Sequence, residues 1–261
     1  MIVSEQAEAF EIIGGTPQSG LLILCDHAQA TIPAEFNALG LCAEQLSRHI
    51  AYDIGAEAVS RLLATQLGCP AVLSRFSRLL IDPNRGIDDP TLVMRIADGA
   101  LIPGNARIDQ AGIEARIERF YRPYDDAITR SIAAMRASGK NPVILAIHSY
   151  TPEMKGIPRP WHATIIWDFD PRFNLALLGA LAAEPDLVVA ENEPYQGGYR
   201  GDTLDRHVLR AGLAHALLEI RQNEITTHEQ QQAWATRLAR LIPPLLEDSS
   251  LYEARVFGAH A

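Results

Sequence analysis

Two five-residue apolar runs constrain this chain more than any other feature: Leu21-Leu22-Ile23-Leu24-Cys25 and Val143-Ile144-Leu145-Ala146-Ile147. A strand with one wet face alternates apolar and polar residues, so short unbroken runs predict strands covered on both faces. Polar residues close each run, Asp26-His27 the first and His148-Ser149 the second. Further strands are expected over Ala71 to Phe76, Leu79 to Ile81, Ala163 to Trp167, Asp186 to Ala190 and Ala214 to Ile220. Apolar residues recurring every four positions at Leu46, Ile50, Ile54, Ala58 and Leu62 predict one helix from Ala43 to Leu67, stopped by Gly68. Asp109 to Gly139 reads as a long helix kinked or divided at Pro123, and Pro171 to Ala183 as a helix with proline in its first turn. Thr203 to Gly212 reads as a short helix and Thr226 to Glu247 as a closing amphipathic one. Strands alternating with helices argue for an α/β chain with a mainly parallel sheet between helical layers. No internal repeat or low-complexity linker divides the 261 residues, so the expectation is a single α/β domain over 1–261. The irregular stretch at about 86–107, rich in Pro and Gly, reads as a loop over the site.

The net charge of −9, from 32 acidic and 23 basic residues, argues against a nucleic-acid partner, because neutralising phosphates needs a basic footprint. A small anionic substrate stays compatible, since a few arginines can set the potential of one cleft. The apolar runs fall far short of the roughly 20 residues that cross a bilayer, so no membrane span is expected. Met1 to Glu8 carries neither a basic n-region nor an apolar core, which predicts a cytoplasmic protein. Three widely spaced cysteines, Cys25, Cys42 and Cys69, signal neither a disulfide framework nor a thiolate metal site. Nothing in the sequence speaks to oligomeric state.

In open parallel sheets ligands bind beyond the carboxyl ends of the strands, so residues at those ends are aimed at the site. Asp26-His27, His148-Ser149 and Glu219 occupy such positions. Two histidines and a carboxylate converging there fit a metal hydrolase, and Asp53, one helical turn after His49, offers a third protein ligand with water in the fourth place. Arg78 and Arg85 bracket an apolar stretch, and a guanidinium fork suits either a substrate carboxylate or a carbonyl oxyanion. The loop Glu191 to Arg200 supplies an amide in Asn192, a phenol in Tyr195 and a third guanidinium in Arg200, with Gly197-Gly198 as a hinge for a lid. His207 and His215 either orient Glu219 or merely pack. No Gly-x-Ser-x-Gly elbow, dinucleotide fingerprint or P-loop is present, so Ser149 is a poor nucleophile candidate and nucleotide chemistry is not a first reading.

Taken in order, Cys25-Asp26-His27-Ala28 through Pro33, Asp53 with Gly55, Ser77-Arg78 to Asp82-Pro83-Asn84-Arg85, Ile147-His148-Ser149, Asn192-x-Pro194-Tyr195, His207 and Glu219-Ile220-Arg221-Gln222-Asn223 resemble the N-formylglutamate amidohydrolases. The likeness runs over about residues 20 to 225. That family is in turn similar to the zinc carboxypeptidases and to the aspartoacylase and succinylglutamate desuccinylase group. The resemblance implies their three-layer α/β/α fold with a mainly parallel mixed sheet, one catalytic divalent metal, zinc, and hydrolysis of the amide joining a small acyl group to an acidic amino acid. It also implies a place in histidine degradation. By resemblance, His27 and His148 are metal ligands, Glu219 is the catalytic carboxylate, Arg78 polarises the scissile carbonyl, and Asn84 with Arg85 binds the substrate carboxylate. The carboxypeptidase relatives carry Glu three positions after their first His. Ala30 stands there in this chain, and Asp53 is taken as the substitute ligand, with Asp26 behind it. Asn192, Tyr195 and Arg200 complete the expected substrate contacts, with Arg200 or Arg159 for a second carboxylate. Two alternatives stand beside this reading: an amidohydrolase for another N-acyl amino acid or small peptide, and a metal-free binding or regulatory relative, which the Ala30 departure favours.

Overall fold

The computed structural model describes residues 9–258 and 260; the sequence reading of Met1 to Glu8 lies outside them. A seven-stranded sheet is formed by β1 (Phe10–Ile13), β2 (Leu21–Cys25), β3 (Ala71–Ser74), β4 (Val143–Tyr150), β5 (Ala163–Ile166), β6 (Val189–Glu191) and β7 (His215–Arg221). Their order is β1-β3-β2-β4-β7-β5-β6. The central ladders β3–β2–β4–β7 and the outer pair β5–β6 are parallel; β1 against β3 and β7 against β5 run antiparallel.

Alternation of side chains along the strands explains the two founding apolar runs. Leu22, Leu24, Ile144, Ala146 and Leu217 fall in one core, which includes Tyr124, Ala127 and Ile128 of α2 (Arg122–Ala137). Leu21, Ile23, Cys25, Val143, Leu145 and Ile147 fall in the other, with α1 (Ala56–Leu67), α3 (Pro171–Ala182) and α4 (His228–Leu245). Every residue of both runs is buried, giving the three-layer α/β/α arrangement with a mixed, mainly parallel sheet. Pro123 sits where expected, at the start of α2, directly after a π-helical turn over Ile117–Tyr121. Among the described residues no helix is long and apolar enough to cross a membrane.

Three local expectations are corrected. The helix predicted from Ala43 to Leu67 is broken: one turn at Ala43–Leu46, irregular chain to Gly55, then α1. Backbone groups that a continuous helix would use are taken elsewhere. The Ala51 carbonyl accepts from Arg78 N (3.2 Å) and Ser77 Oγ (2.8 Å), and Asp53 N donates to the His27 carbonyl (2.9 Å). His49 and Asp53 therefore share no helix face; His49 lies 3.5 Å from Asp98. Leu79 to Ile81 is a buried turn instead of a strand, since Leu80 N bonds Ser77 O while Asn105 Nδ2 and Arg116 Nη1 each take a carbonyl, of Leu79 and Leu80, at 2.7 Å. β4 continues past its apolar run through His148 to Tyr150, and β1 was not foreseen, its four residues being too few to register a period.

Candidate active site

The alternation that buries Leu24, Ile144, Ala146 and Leu217 on the α2 face carries Asp26, His148 and Glu219 to the carboxyl edge of that face, and β4–β7 register sets His148 opposite Glu219. His27 follows β2 directly, and its carbonyl fixes the Asp53 backbone. Asp53 can reach the same point only because the chain turns sharply at Gly55. There φ is +83°, and a Cβ would lie 2.3 Å from the Ile225 carbonyl oxygen, so glycine alone fits.

Asp53 Oδ2 is the centre of the cluster, 2.8 Å from His148 Nδ1 and 3.3 Å from His27 Nδ1. The far nitrogens of both rings face other carboxylates: His27 Nε2 lies 2.7 Å from Asp82 Oδ1, and His148 Nε2 lies 3.3 Å from Asp26 Oδ2. Asp82 is held in turn by Arg78, whose Nε and Nη2 both donate to Oδ2, while Arg78 Nη1 lies 3.4 Å from Asp53 Oδ1. Tyr124 and Thr203 hydroxyls donate to Asp26 Oδ1 at 2.8 and 2.9 Å. Asp26 thus stands behind His148 and is not a competing ligand in this arrangement.

His27, Asp53 and His148 are all buried, and one ligand atom from each lies within 4.8 Å of the others, a group able to hold a metal ion. The electrostatics agree with a cation there. Burial by itself disfavours ionised Asp53, Asp26 and Asp82, yet all three carboxyls are held below their usual range, Asp53 by the two imidazoles, Asp26 by His148, His27 and the Tyr124 hydroxyl, Asp82 by Arg78 and His27. Reciprocally, burial pushes both imidazoles down, and His27 also feels Arg78, but the flanking carboxylates outweigh this and raise both, His148 strongly. With the two imidazoles protonated, they and Arg78 balance the three aspartates; with the imidazoles neutral, the aspartates outnumber Arg78 and a dication on the Nδ1 side would restore the balance. Glu219 is pushed up to about 7, chiefly by burial, with Asp53 adding to the shift and His148 opposing it. Its Oε2 is buried without a hydrogen-bond partner among the described residues, which leaves a carboxylate oxygen free for a proton in flight.

A cleft of about 170 Å³ opens over this cluster and is lined by His27, Asp53, His148, Glu219, Arg78, Asn84, Arg85 and Tyr195 from among the expected residues. Asn84 Oδ1 accepts from Thr203 N (3.0 Å), so its amide NH₂ is the end left to donate. Tyr121 OH and Arg206 Nη1 donate to the Arg85 carbonyl at 2.8 and 3.2 Å and hold the Asn84-Arg85 turn. Three expected residues, Asn192, Arg200 and Arg159, stand outside the lining; Arg159 donates to Thr151 and to Tyr195 OH. Asn192 Oδ1 accepts from Trp167 N (2.8 Å), and Arg200, its side chain 67% exposed, lies 3.6 Å from Asp88. The stretch 86–107 contributes nothing to the lining; the segment Tyr195-Gln196-Gly197-Gly198-Tyr199 does. His207 bonds Asp125 (2.7 Å) and His215 bonds the Leu213 carbonyl, so neither orients Glu219. Ser149 Oγ donates to the Ile54 carbonyl, a structural task.

Sequence reasoning gave no role to Asp82 or to the lining residues Tyr199, Asp202, Ile166 and Leu217. For Asp82 a signal existed, its four-residue spacing from Arg78; for Ile166 and Leu217, side by side on paired strands, apolar patterning signals only core.

The sequence model of the N-formylglutamate amidohydrolase family matches residues 19–226. Among solved structures, the gene product Atu2144 from Agrobacterium tumefaciens superposes with a TM-score of 0.88 at 35% identity, covering 95% of this chain and 98% of that one. The N-formylglutamate amidohydrolase from Ralstonia eutropha superposes with a TM-score of 0.67 at 22% identity, covering 92% and 97%, a likeness of fold. Comparison with curated proteins returns no match.

Proposed function

The chain belongs to the N-formylglutamate amidohydrolase family, and from that premise we propose that it is a metal-dependent amidohydrolase that removes a small acyl group from an acidic amino acid, N-formyl-L-glutamate being the first substrate to test. The observation that carries this reading is the buried His27–Asp53–His148 group with the partnerless Glu219 oxygen beside it in one cleft.

His27 and His148 through Nδ1, and Asp53 through Oδ2, would hold one divalent cation, and two imidazoles with one carboxylate suit zinc. When bound, that ion would supply Lewis-acid polarisation of the scissile carbonyl and lower the pKa of a water toward neutrality. Asp82, hydrogen-bonded to the far nitrogen of His27, would fix the tautomer that turns Nδ1 inward, and Asp26 stands 3.3 Å from the far nitrogen of His148. Glu219, with its proton affinity raised toward neutrality, takes the proton of the attacking water and returns it to the leaving amine. Arg78, anchored through Asp82, offers positive charge to the oxygen that becomes anionic. Arg85 and the Asn84 NH₂ group bind the α-carboxylate and orient the amide. The cell's interior is the compartment this reading fits, and a single domain the organisation.

The test is release of formate from N-formyl-L-glutamate by the purified protein, with elemental analysis in parallel. Activity and about one metal per chain in the wild type, with metal retained and kcat lowered by roughly 10² to 10⁴ in Glu219→Gln, is the expected result. An active Glu219→Gln enzyme, or a wild type that hydrolyses no N-acyl amino acid with zinc, manganese or cobalt supplied, overturns it.

A further inference from the structure

Arg206 lies outside the cleft lining, yet its fork reaches both segments that would face an incoming anion. Nη2 donates to the Pro83 carbonyl at 2.9 Å, and Nη1 donates to the Arg85 carbonyl at 3.2 Å and to the Gly201 carbonyl. Pro83 and Arg85 flank Asn84 in the turn 83–85, and Gly201 follows directly on the segment that carries the lining residues Tyr195 to Tyr199. Carbonyls in two separate loops have no strand or helix to pair them, and a planar guanidinium can answer three at once. Its own plane is set from elsewhere. Nε donates to Asp125 Oδ1 of α2 at 2.9 Å, and Cζ lies over the Tyr121 ring, 4.9 Å from its centroid.

The two segments touch where they leave the cleft. Gly201 has φ +75°, and a Cβ there would lie 2.7 Å from Gly86 Cα, so glycine lets the chain after Arg200 pass the chain after Arg85 at backbone distance. Gly201 N donates to Asp205 Oδ2 at 2.8 Å, one residue before Arg206 on the same turn of chain. On the cleft side of this crossing, Arg85 lies over the Tyr199 ring, 4.9 Å from its centroid. That pair has one member on each segment, so its geometry depends on how the two backbones are fixed to each other. The fixing group is the Arg206 fork, which holds a carbonyl on either side of the crossing.

Resting on the proposed reading that Asn84 and Arg85 bind the substrate, we infer that Arg206 is a positioning residue: it locks the turn 83–85 to the segment 195–201, and so sets how tightly the cleft holds its substrate without touching the bond that breaks.

The test has two arms, each run on wild type, Arg206→Ala and Arg206→Lys. Hydrogen exchange followed by mass spectrometry reads the lock itself. In Arg206→Ala, peptides covering 83–86 and 197–202 should exchange faster together, while those covering β2 and β4 keep the wild-type rate. Kinetics with N-formyl-L-glutamate reads the consequence: KM should rise by about 10-fold or more, the scale of one misplaced hydrogen bond to a charged group, with kcat nearly kept and zinc content unchanged. Lysine keeps a charge opposite Asp125 but offers one nitrogen in place of the fork, so Arg206→Lys should recover only part of the KM. If Arg206→Ala does not fold, Arg206→Lys carries both readouts. Faster exchange in only one of the two peptides, a rise that spreads equally to β2 and β4, or a loss of kcat with KM unchanged overturns the inference. If the wild type hydrolyses no N-acyl amino acid, the amidohydrolase reading fails alone, and the exchange arm still decides whether Arg206 locks the two segments.

Discussion

At the scale of single residues, the site is organised in pairs: each histidine that offers Nδ1 to the centre has a buried carboxylate on its other nitrogen. Such partners orient the ring and raise its basicity, and losing one ordinarily weakens metal binding by about 10- to 100-fold. Asp82 has the larger claim, since its contact with His27 Nε2 is short and it also anchors Arg78. Asp82→Asn should keep the fold and the size of the side chain yet lower zinc affinity by that factor, read by competition with a chromogenic chelator. Unchanged affinity would mean that His27 needs no partner to present Nδ1. Of these residues, the sequence made His27, His148 and Glu219 legible because they follow or interrupt the apolar runs of buried strands near their carboxyl ends. Asp82 was visible only as part of a turn, because nothing local says that a carboxylate 55 positions away faces a given imidazole.

At the scale of elements, the decisive feature is the break between Leu46 and Ala56. Had the helix continued as its apolar period suggests, Asp53 would sit on a helical surface; the break instead lets its backbone bond His27 O and its carboxylate enter the cluster. Gly55 makes the break possible through its left-handed backbone and its contact with the Ile225 carbonyl. Gly55→Ala should therefore cost more than the ~1 kcal/mol typical of a point substitution and should also displace Asp53. Chemical unfolding reads the first effect and metal content the second. A variant with wild-type stability and full metal would show that the turn tolerates a Cβ. Periodicity failed at this break for a physical reason: Ser77 and Arg78 outbid the helix for the Ala51 carbonyl, and they are more than twenty residues away.

At the scale of the whole molecule, two apolar cores clamp a sheet whose carboxyl edge gathers Asp26, Asp53, Asp82 and Glu219 against one guanidinium and two imidazoles. Without metal, both imidazoles hold their protons above the ordinary value near 6.5. Groups raised on folding stabilise the metal-free protein fully below that value, and the contribution is lost as pH rises through the raised ones. A cation held as proposed would take the same Nδ1 positions and expel those protons. Zinc binding should therefore release protons at pH 7, seen as a calorimetric heat that varies with the ionisation enthalpy of the buffer. The rise in Tm that zinc brings should grow from pH 5.5 to pH 8. A buffer-independent heat would remove the histidines from the metal's coordination. Alone, the sequence determined the layers, because five-residue apolar runs bounded by polar and turn residues suit strands covered on both faces, and it picked out the polar residues near their carboxyl ends. Only the tertiary structure decided that Asp53 rather than Asp26 faces the centre and that Asp82 backs His27. Burial and alternation are properties of neighbouring residues, whereas the pairing of charges is settled between segments as far apart as Asp53 and His148, 95 positions along the chain.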